Sequence, residues 1–305
     1  MGNTRLNVSD NSIRLGIDIG GTSVKFAILK NEEIVHKSSI LTEKKSCEKF
    51  LSDIAQECNK LKTEYEINSV GVGTPGAIKN GLVTAINIPF NNTNLKEELE
   101  SRINLPVKVD NDANCAAYGE FTLGIGKDYE NMVMVTLGTG VGGGIITNGK
   151  ILHSKHTSGE IGHIIVQTND ALPCPCGQKG CWEQYASVTA LIREATKAAV
   201  ENRDSKLFDI FKNNSLELNG KLIFEAIYSG CPVAMKVFDK YIDWLAVGVK
   251  SLINIFGPDA IVFAGGITNQ GDMLIKPLRE RVNTEVILEI SVLQSDAGVI
   301  GAAML

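Results

Sequence analysis

An apolar strand, a glycine–threonine turn and a second apolar strand open this chain, and the same unit returns about 120 residues later. Residues 13–19 alternate and run into Asp18-Ile19-Gly20-Gly21-Thr22, and 23–29 place Val24, Phe26 and Ile28 on one face of a returning strand. Asn31-Glu32-Glu33 turns the chain again into 34–40, so three tightly joined antiparallel strands are expected. Further on, 131–137 read as a buried strand, Gly138-Thr139-Gly140 and the glycines after it as a turn, and 145–147 as a second strand. Two copies of one supersecondary unit in 305 residues predict two lobes of related design.

Between and after these units the apolar spacing alternates between strand and helix periods. Helices are expected over 46–65 with Ser46 as cap, over 95–102 with Asn94 as cap, and over 111–123. Short buried strands are expected at 69–73 and 106–109. The C-terminal half is mostly helical, over 187–201, 221–229, 233–256, 272–281 and 297–305, with strands at 259–264 and 286–289. The class is therefore α/β, with mixed sheets flanked by helices. The expected lobes are 1–118 plus 297–305, and 119–296.

Charge and composition exclude several functions. A net charge of −5 argues against a binder of nucleic acid that uses a general basic surface. No apolar run is long and unbroken enough to span a bilayer. The first twelve residues are polar, lack an apolar signal core and read as a loose tail. Seven cysteines, four of them scattered (Cys47, Cys58, Cys115, Cys231), fit a reducing cytoplasm better than a secreted disulfide scaffold.

The turns carry the first chemistry. In Asp18-Ile19-Gly20-Gly21-Thr22-Ser23-Val24-Lys25, Gly20 and Gly21 let backbone N–H groups approach phosphate oxygens, and Thr22 adds a hydroxyl. Asp18 is placed to hold a hydrated Mg²⁺ and Lys25 to supply a point charge. The alternative is a plain structural turn. Gly138-Thr139-Gly140 has the same logic, and Gly265-Gly266 after a buried strand suits the flat face of a nucleoside. No Walker sequence and no G-x-G-x-x-G after the first strand is present, so P-loop and dinucleotide-binding readings fail.

The second chemistry is a ligand cluster. Cys174, Cys176 and Cys181 fall within eight residues, with His163 eleven positions upstream. Three thiolates and one imidazole fill a tetrahedral zinc site, leaving no open position, so the zinc is expected to be structural. Glu160 and Glu183 bracket the cluster. His36, His153 and His156 match no motif and receive no role. Asp112, in Val109-Asp110-Asn111-Asp112, is either a helix cap or a reactive carboxylate, and Asp110 competes with it.

Together these residues resemble a known family. The Asp18–Thr22 hairpin, the Gly138–Gly140 turn and Gly265-Gly266 resemble the two phosphate motifs and the adenosine motif of the actin-like ATPase and sugar-kinase superfamily. Glu160-Ile161-Gly162-His163 and Cys174-Pro175-Cys176-Gly177-Gln178-Lys179-Gly180-Cys181-Trp182-Glu183 resemble the E-x-G-H and C-x-C-G-x-x-G-C-x-E motifs of the ROK family (repressors, open reading frames and kinases). Trp182 stands where other aliphatic or aromatic residues are usual.

The resemblance implies two actin-like, ribonuclease-H-like lobes with a cleft between them. It implies a glucokinase-like ATP- and Mg²⁺-dependent hexose kinase, usually acting on the C6 hydroxyl, and often a homodimer. It makes Asp112 the general base, a role suited to phosphoryl transfer, which otherwise needs mainly positioning. Asn111, Glu160, His163 and Glu183 would hold sugar hydroxyls together with Asp112, because each hydroxyl both donates and accepts. His163 would put one ring nitrogen on zinc and the other on the sugar. Thr74, Gly76, Asn87 and one of Asn91 and Asn92 would form the other wall. The substrates expected are glucose or an N-acetylhexosamine such as N-acetylmannosamine. Rival readings are a sugar-binding protein without kinase activity and a sugar-responsive repressor. The repressor reading needs a helix-turn-helix domain ahead of a first strand that already begins near residue 13.

Overall fold

A computed structural model describes residues 12–79, 81–153 and 159–305. The tail expected at the N-terminus, apart from Ser12, and His156 lie outside the described residues. In chain order the elements are β1 (Ile13–Ile19), β2 (Ser23–Lys30), β3 (Glu33–Leu41), α1 (Cys47–Glu64), β4 (Ile67–Thr74), β5 (Ala77–Lys79), β6 (Leu82–Thr84), α2 (Leu95–Ile103), β7 (Val107–Asn111) and α3 (Asp112–Thr122). There follow β8 (Met132–Leu137), β9 (Val141–Thr147), β10 (Lys150–Ile151), α4 (Glu183–Ala186), α5 (Val188–Glu201), α6 (Lys206–Asn213) and α7 (Gly220–Tyr228). The chain ends with α8 (Pro232–Phe256), β11 (Ala260–Ala264), α9 (Asp272–Val282), β12 (Ile287–Ile290) and α10 (Ala297–Met304).

The expected repeat is present at the level of topology. One sheet has the order β3-β2-β1-β4-β7 and the other β10-β9-β8-β11-β12, the same pattern twice. β1 pairs antiparallel with β2 and parallel with β4, so the sheets are mixed. Asn31 and Glu32, both at positive φ, close the two-residue turn between β2 and β3. The glycines after Gly140, expected as turn, are strand. The turn closes early because the Gly138 N–H donates to the Gly140 carbonyl, and the ladder needs no side chain to continue. Five short elements escaped the sequence reading: β5 and β6, with three residues each, the two-residue β10, the four-residue α4, and α6, which follows a Ser205 cap.

Chain contacts divide into two compact units: 1–134 with 144–159 and 291–305, and 135–143 with 160–290. In the first unit, Val24, Phe26 and Ile28 pack with Phe50, Ile54 and Leu61 of α1 and Leu95 and Leu99 of α2. The alternate residues Ala27 and Leu29 face Val299, Ile300 and Ala303 of α10 instead. All eight residues of α10 are buried, which explains its wholly apolar and small composition. Its fit demands glycine: a Cβ at Gly301 would lie 1.6 Å from the Cys115 carbonyl oxygen, and one at Gly71 would lie 1.7 Å from that of Ala302. The buried Glu120 carboxylate anchors the segment before α10, accepting from the Leu293 N–H at 2.7 Å and from the Ser291 hydroxyl. Among the described residues no helix is long and apolar enough to cross a membrane.

Candidate functional site

Parallel pairing of β1, β4 and β7 sets the first group of residues. The register places Asp18 opposite Gly73, Gly73 opposite Asp110 and Thr74 opposite Asn111, so three neighbouring strands end together. Carboxyl ends of such strands are where α/β sheets place ligands. The β7 strand runs to Asn111, two residues further than expected, and α3 begins at Asp112. That shift decides which residue is the cap. Asn111 accepts from the N–H groups of Ala113 and Asn114, so capping does not account for Asp112.

Asp110, the competing carboxylate, is already engaged. It is buried, accepts from Asn111 N–H at 2.7 Å and Asn114 Nδ2 at 2.9 Å, and meets His153 Nε2 at 2.7 Å. The Asp112 carboxylate accepts the Ala113 N–H at 2.9 Å. Burial raises its pKa above the usual carboxylate range, partly offset by hydrogen bonds from Ala113 and Asn111.

Asp18, like Asp112, is a half-buried carboxylate. Burial pushes it up to about 6, the Lys25 ammonium pulls it down and the Asp112 charge pushes it further up. Lys25 also donates to the Ser295 carbonyl at 2.8 Å. Two carboxylates close enough for the Asp112 charge to raise Asp18, beside one lysine, suit a cation. The linkage sign follows from the raised value. The folded state holds the Asp18 proton more tightly than the unfolded chain, so stability falls as pH rises from about 4 to about 6. Above that range the charge costs ~3 kcal/mol, from ~1.4 kcal/mol per unit. Asp18→Asn is therefore expected to be more stable than the parent at pH 7.5, by ~2–3 kcal/mol, with a flatter stability profile between pH 4 and 7. Denaturant unfolding across that range measures it; a variant less stable than the parent at pH 7.5 contradicts it.

The remaining residues of that wall differ in character. Thr74 is fully buried and its hydroxyl donates to the Pro75 carbonyl at 3.3 Å. Gly76 has φ 98° and its carbonyl accepts from Asn111 Nδ2 at 3.4 Å. Asn87 is exposed on the loop between β6 and α2, whereas Asn92 is a left-handed turn residue tied to Thr84. Gly20 closes the β1–β2 turn through the Ser23 carbonyl, and the Thr22 carbonyl accepts the Thr42 N–H, leaving Gly21 at the exposed tip.

In the second unit a cavity of about 980 Å³ is lined by Gly138, Thr139, Thr189, Phe224, Tyr228 and Gly266, among others. It brings the second glycine–threonine turn and the Gly265-Gly266 turn to one space, with an aromatic wall from α7. Sequence reasoning missed that wall, since the spacing of Phe224 and Tyr228 reads only as a helix face. The Gly138–Gly140 turn is braced from below: the Val188 N–H donates to the Gly138 carbonyl, and the Thr189 hydroxyl to that of Thr139. Glu183 accepts the Val141 N–H at 3.1 Å, so one carboxylate joins the cysteine loop to this turn.

The four ligand atoms of His163, Cys174, Cys176 and Cys181 all lie within 4.8 Å of one another. Cys176 and Cys181 Sγ are 3.6 Å apart, as are Cys174 Sγ and His163 Nδ1. A tetrahedral ion with ~2.3 Å bonds to sulfur would separate its sulfurs by ~3.8 Å, so the set fits such an ion. All the cysteines are free thiols. The Cys176 thiol is held below its ordinary range, first by the Gln178 N–H. With His163 Nδ1 facing the thiols, its Nε2 faces Glu160 Oε2 at 4.0 Å. Trp182 fastens the loop to α8. Its indole is fully buried, donates to the Trp244 carbonyl at 2.8 Å and fills a notch that only Gly248 leaves, since a Cβ there would lie 2.0 Å from the ring.

The ROK family model matches residues 14–305. The chain belongs to the ROK family. A glucokinase of Halalkalibacterium halodurans is 38% identical over 95% of this chain and 94% of its own length. A glucokinase of Streptomyces coelicolor is 34% identical over 95% of this chain and 96% of its own. Among solved structures, a ROK glucokinase from Streptomyces griseus in complex with glucose and AMPPNP superposes with a TM-score of 0.80 at 32% identity, covering 96% of this chain and 98% of that one. The actin-like ATPase fold of this family accounts for the twice-used sheet order.

Proposed function

We propose that this ROK protein is an ATP-dependent hexose kinase that transfers the γ-phosphoryl group of ATP to a sugar hydroxyl, with Asp112 as the general base. The hydroxyl is C6 of glucose or of an N-acetylhexosamine such as N-acetylmannosamine. The observation that carries the base assignment is the division of labour at the β7–α3 junction. Asn111 caps the helix, Asp110 is engaged three times over, and Asp112 is the half-buried carboxylate left with a raised pKa. A raised pKa brings a carboxylate closer to the proton affinity that base catalysis requires.

The other roles follow from chemistry. Gly21 and Thr22, and Thr139 and Gly140, would present backbone and hydroxyl donors to the phosphates on turns that the Gly20 and Gly138 N–H groups close, and Gly265-Gly266 would border the nucleoside. Asp18 would hold a hydrated Mg²⁺, and Lys25 adds positive charge beside it. Asn111, Glu160, His163 and Glu183, with Thr74, Gly76 and Asn87, orient the sugar. His163, Cys174, Cys176 and Cys181 would hold a structural zinc, which supplies no chemistry to the transfer and fixes the His163 ring so that Nε2 points away from the metal. The free thiols fit a reducing cytoplasm, and a homodimer is the assembly this reading expects.

A coupled ADP-release assay with ATP·Mg²⁺ over a panel of hexoses and N-acetylhexosamines tests it. Turnover on at least one hexose, with product phosphorylated on a hydroxyl of the sugar, is expected. Tight binding of a hexose with no turnover on any member of the panel would replace the kinase reading with that of a sugar-binding protein.

A further inference from the structure

The β9–β10 hairpin grips α3 at its start, and one of its contacts falls on the residue before the site. The hairpin turns at Asn148 and Gly149, both at positive φ, and Lys150 and Ile151 pair back on Thr147 and Ile146. The Leu152 N–H donates to the Ile145 carbonyl at 2.8 Å, carrying the ladder to the residue before His153. On the same hairpin, Gly144 lies directly on α3: a Cβ there would be 2.4 Å from that of Ala117 and 2.7 Å from the Ala113 carbonyl oxygen. Packing at Gly144 and the ladder at Leu152 thus hold His153 in place beside the end of β7.

There His153 Nε2 meets Asp110 Oδ2 at 2.7 Å, while Asp110 Oδ1 accepts from the Asn111 N–H and from Asn114 Nδ2. Asp110 is thus a clamp with three partners. Two belong to the β7–α3 junction itself and the third is delivered from the hairpin, 43 residues away in sequence. Residues 111 and 112 are attached directly to this clamp. A buried carboxylate that loses one of its partners relaxes toward water or toward its remaining donors, and either movement shifts the junction.

We propose that His153 is a positioning residue for phosphoryl transfer: acting through Asp110, it fixes the β7–α3 junction and so aims Asp112 at the sugar hydroxyl without itself touching sugar or nucleotide. The proposal rests on the reading of Asp112 as general base. Misplacement of a reacting group by about an ångström lowers rates by up to ~100-fold.

The test is a double-mutant cycle of His153→Ala and Asp112→Asn, with kcat, KM for sugar and ATP, and thermal midpoint measured for each protein. His153→Ala is expected to lower kcat ~10- to 100-fold, with both KM values little changed. Because the imidazole acts through Asp112, the same substitution is expected to change kcat far less in the Asp112→Asn background. His153→Gln, which can offer an N–H to Asp110, is expected to recover a large part of the rate. A kcat for His153→Ala within twofold of the parent overturns the proposal, as does an equal fractional loss in both backgrounds. A lower thermal midpoint with unaltered kcat would mean a purely structural role and also overturns it. If Asp112→Asn by itself turns over normally, the base assignment fails and the proposal with it. A crippled Asp112→Asn beside an unaffected His153→Ala sinks this proposal alone.

Discussion

Asp112→Asn is expected to fold, to bind sugar with near-parental affinity and to turn over about three orders of magnitude more slowly. Removal of a positioned general base costs typically 10²–10⁴ in rate, and the rest of the acceleration, from phosphate positioning and charge, stays in place. The fold survives because the cap of α3 is Asn111 and not Asp112. The substitution even removes a burial penalty, since desolvation is the largest influence on the Asp112 carboxyl. Asparagine keeps the size of the side chain and can still accept the Ala113 N–H, so the loss falls on kcat and leaves KM for sugar nearly alone. Steady-state kinetics with a sugar-binding titration separate the two quantities. In the parent, the acid limb of kcat/KM is expected above the pH range of an ordinary carboxylate, because the raised pKa must be passed before Asp112 can accept a proton. A variant with near-parental turnover would point to another base. Asp110 is poorly placed for that role, with three hydrogen-bond partners already on its carboxylate.

The features that the sequence made readable are local ones. Ser46 and Asn94 cap α1 and α2 as their positions predicted, each accepting from an N–H three residues on. The alternation in β2 divides correctly between two faces of its sheet. The repeated strand–turn–strand unit foreshadowed two sheets of identical order. The cysteine–histidine set converges because its spacing is short and its chemistry specific.

What stayed hidden depends on contacts distant in sequence. The partnership of His153 with Asp110 joins the end of β7 to a residue just beyond β10, and a lone histidine after a strand carries no signal of it. Gly248 in mid-α8 reads as a helix weakness of ~1 kcal/mol and is in fact the seat of Trp182. Gly71 looks unremarkable until α10 is laid against it, and Gly301 of α10 until α3 is laid against that helix. The end of β7 was misjudged by two residues, because Asp110 and Asn111 have poor strand propensity and are held in the ladder by β4. That small error concealed which residue caps α3, the distinction that bears most on the chemistry.

Cys176→Ser is expected to reduce bound zinc from one ion per chain to a small residue and to abolish measurable sugar binding, while most of the secondary structure persists. The position suits the test because Cys176 is exposed, so serine opens no cavity of the kind that substitution of the buried Cys181 would. Metal binding at structural zinc sites is worth on the order of 10 kcal/mol, and loss of one thiolate of four removes much of that. The consequence reaches sugar recognition along a short path. His163 Nδ1 faces the thiols and its Nε2 faces Glu160, so a ring no longer held by metal releases both groups from their orientation. Glu183 lies two residues beyond Cys181 and holds the Val141 N–H beside the Gly138–Gly140 turn, so that turn is expected to loosen as well. The chain reports the event itself. Its two tryptophans, Trp182 and Trp244, are hydrogen-bonded to each other where the loop meets α8, and Trp244 packs on Tyr185 at 4.5 Å. A red-shifted emission with little change in far-ultraviolet circular dichroism would mark a loop that has loosened on an intact scaffold. Chelation of the parent protein should reproduce the shift and the loss of sugar binding, and added zinc should reverse both. A metal-free protein that still phosphorylates its sugar at the parental rate would show that the cluster is dispensable, and the recognition of sugar would then have to rest on the Asn111 wall alone.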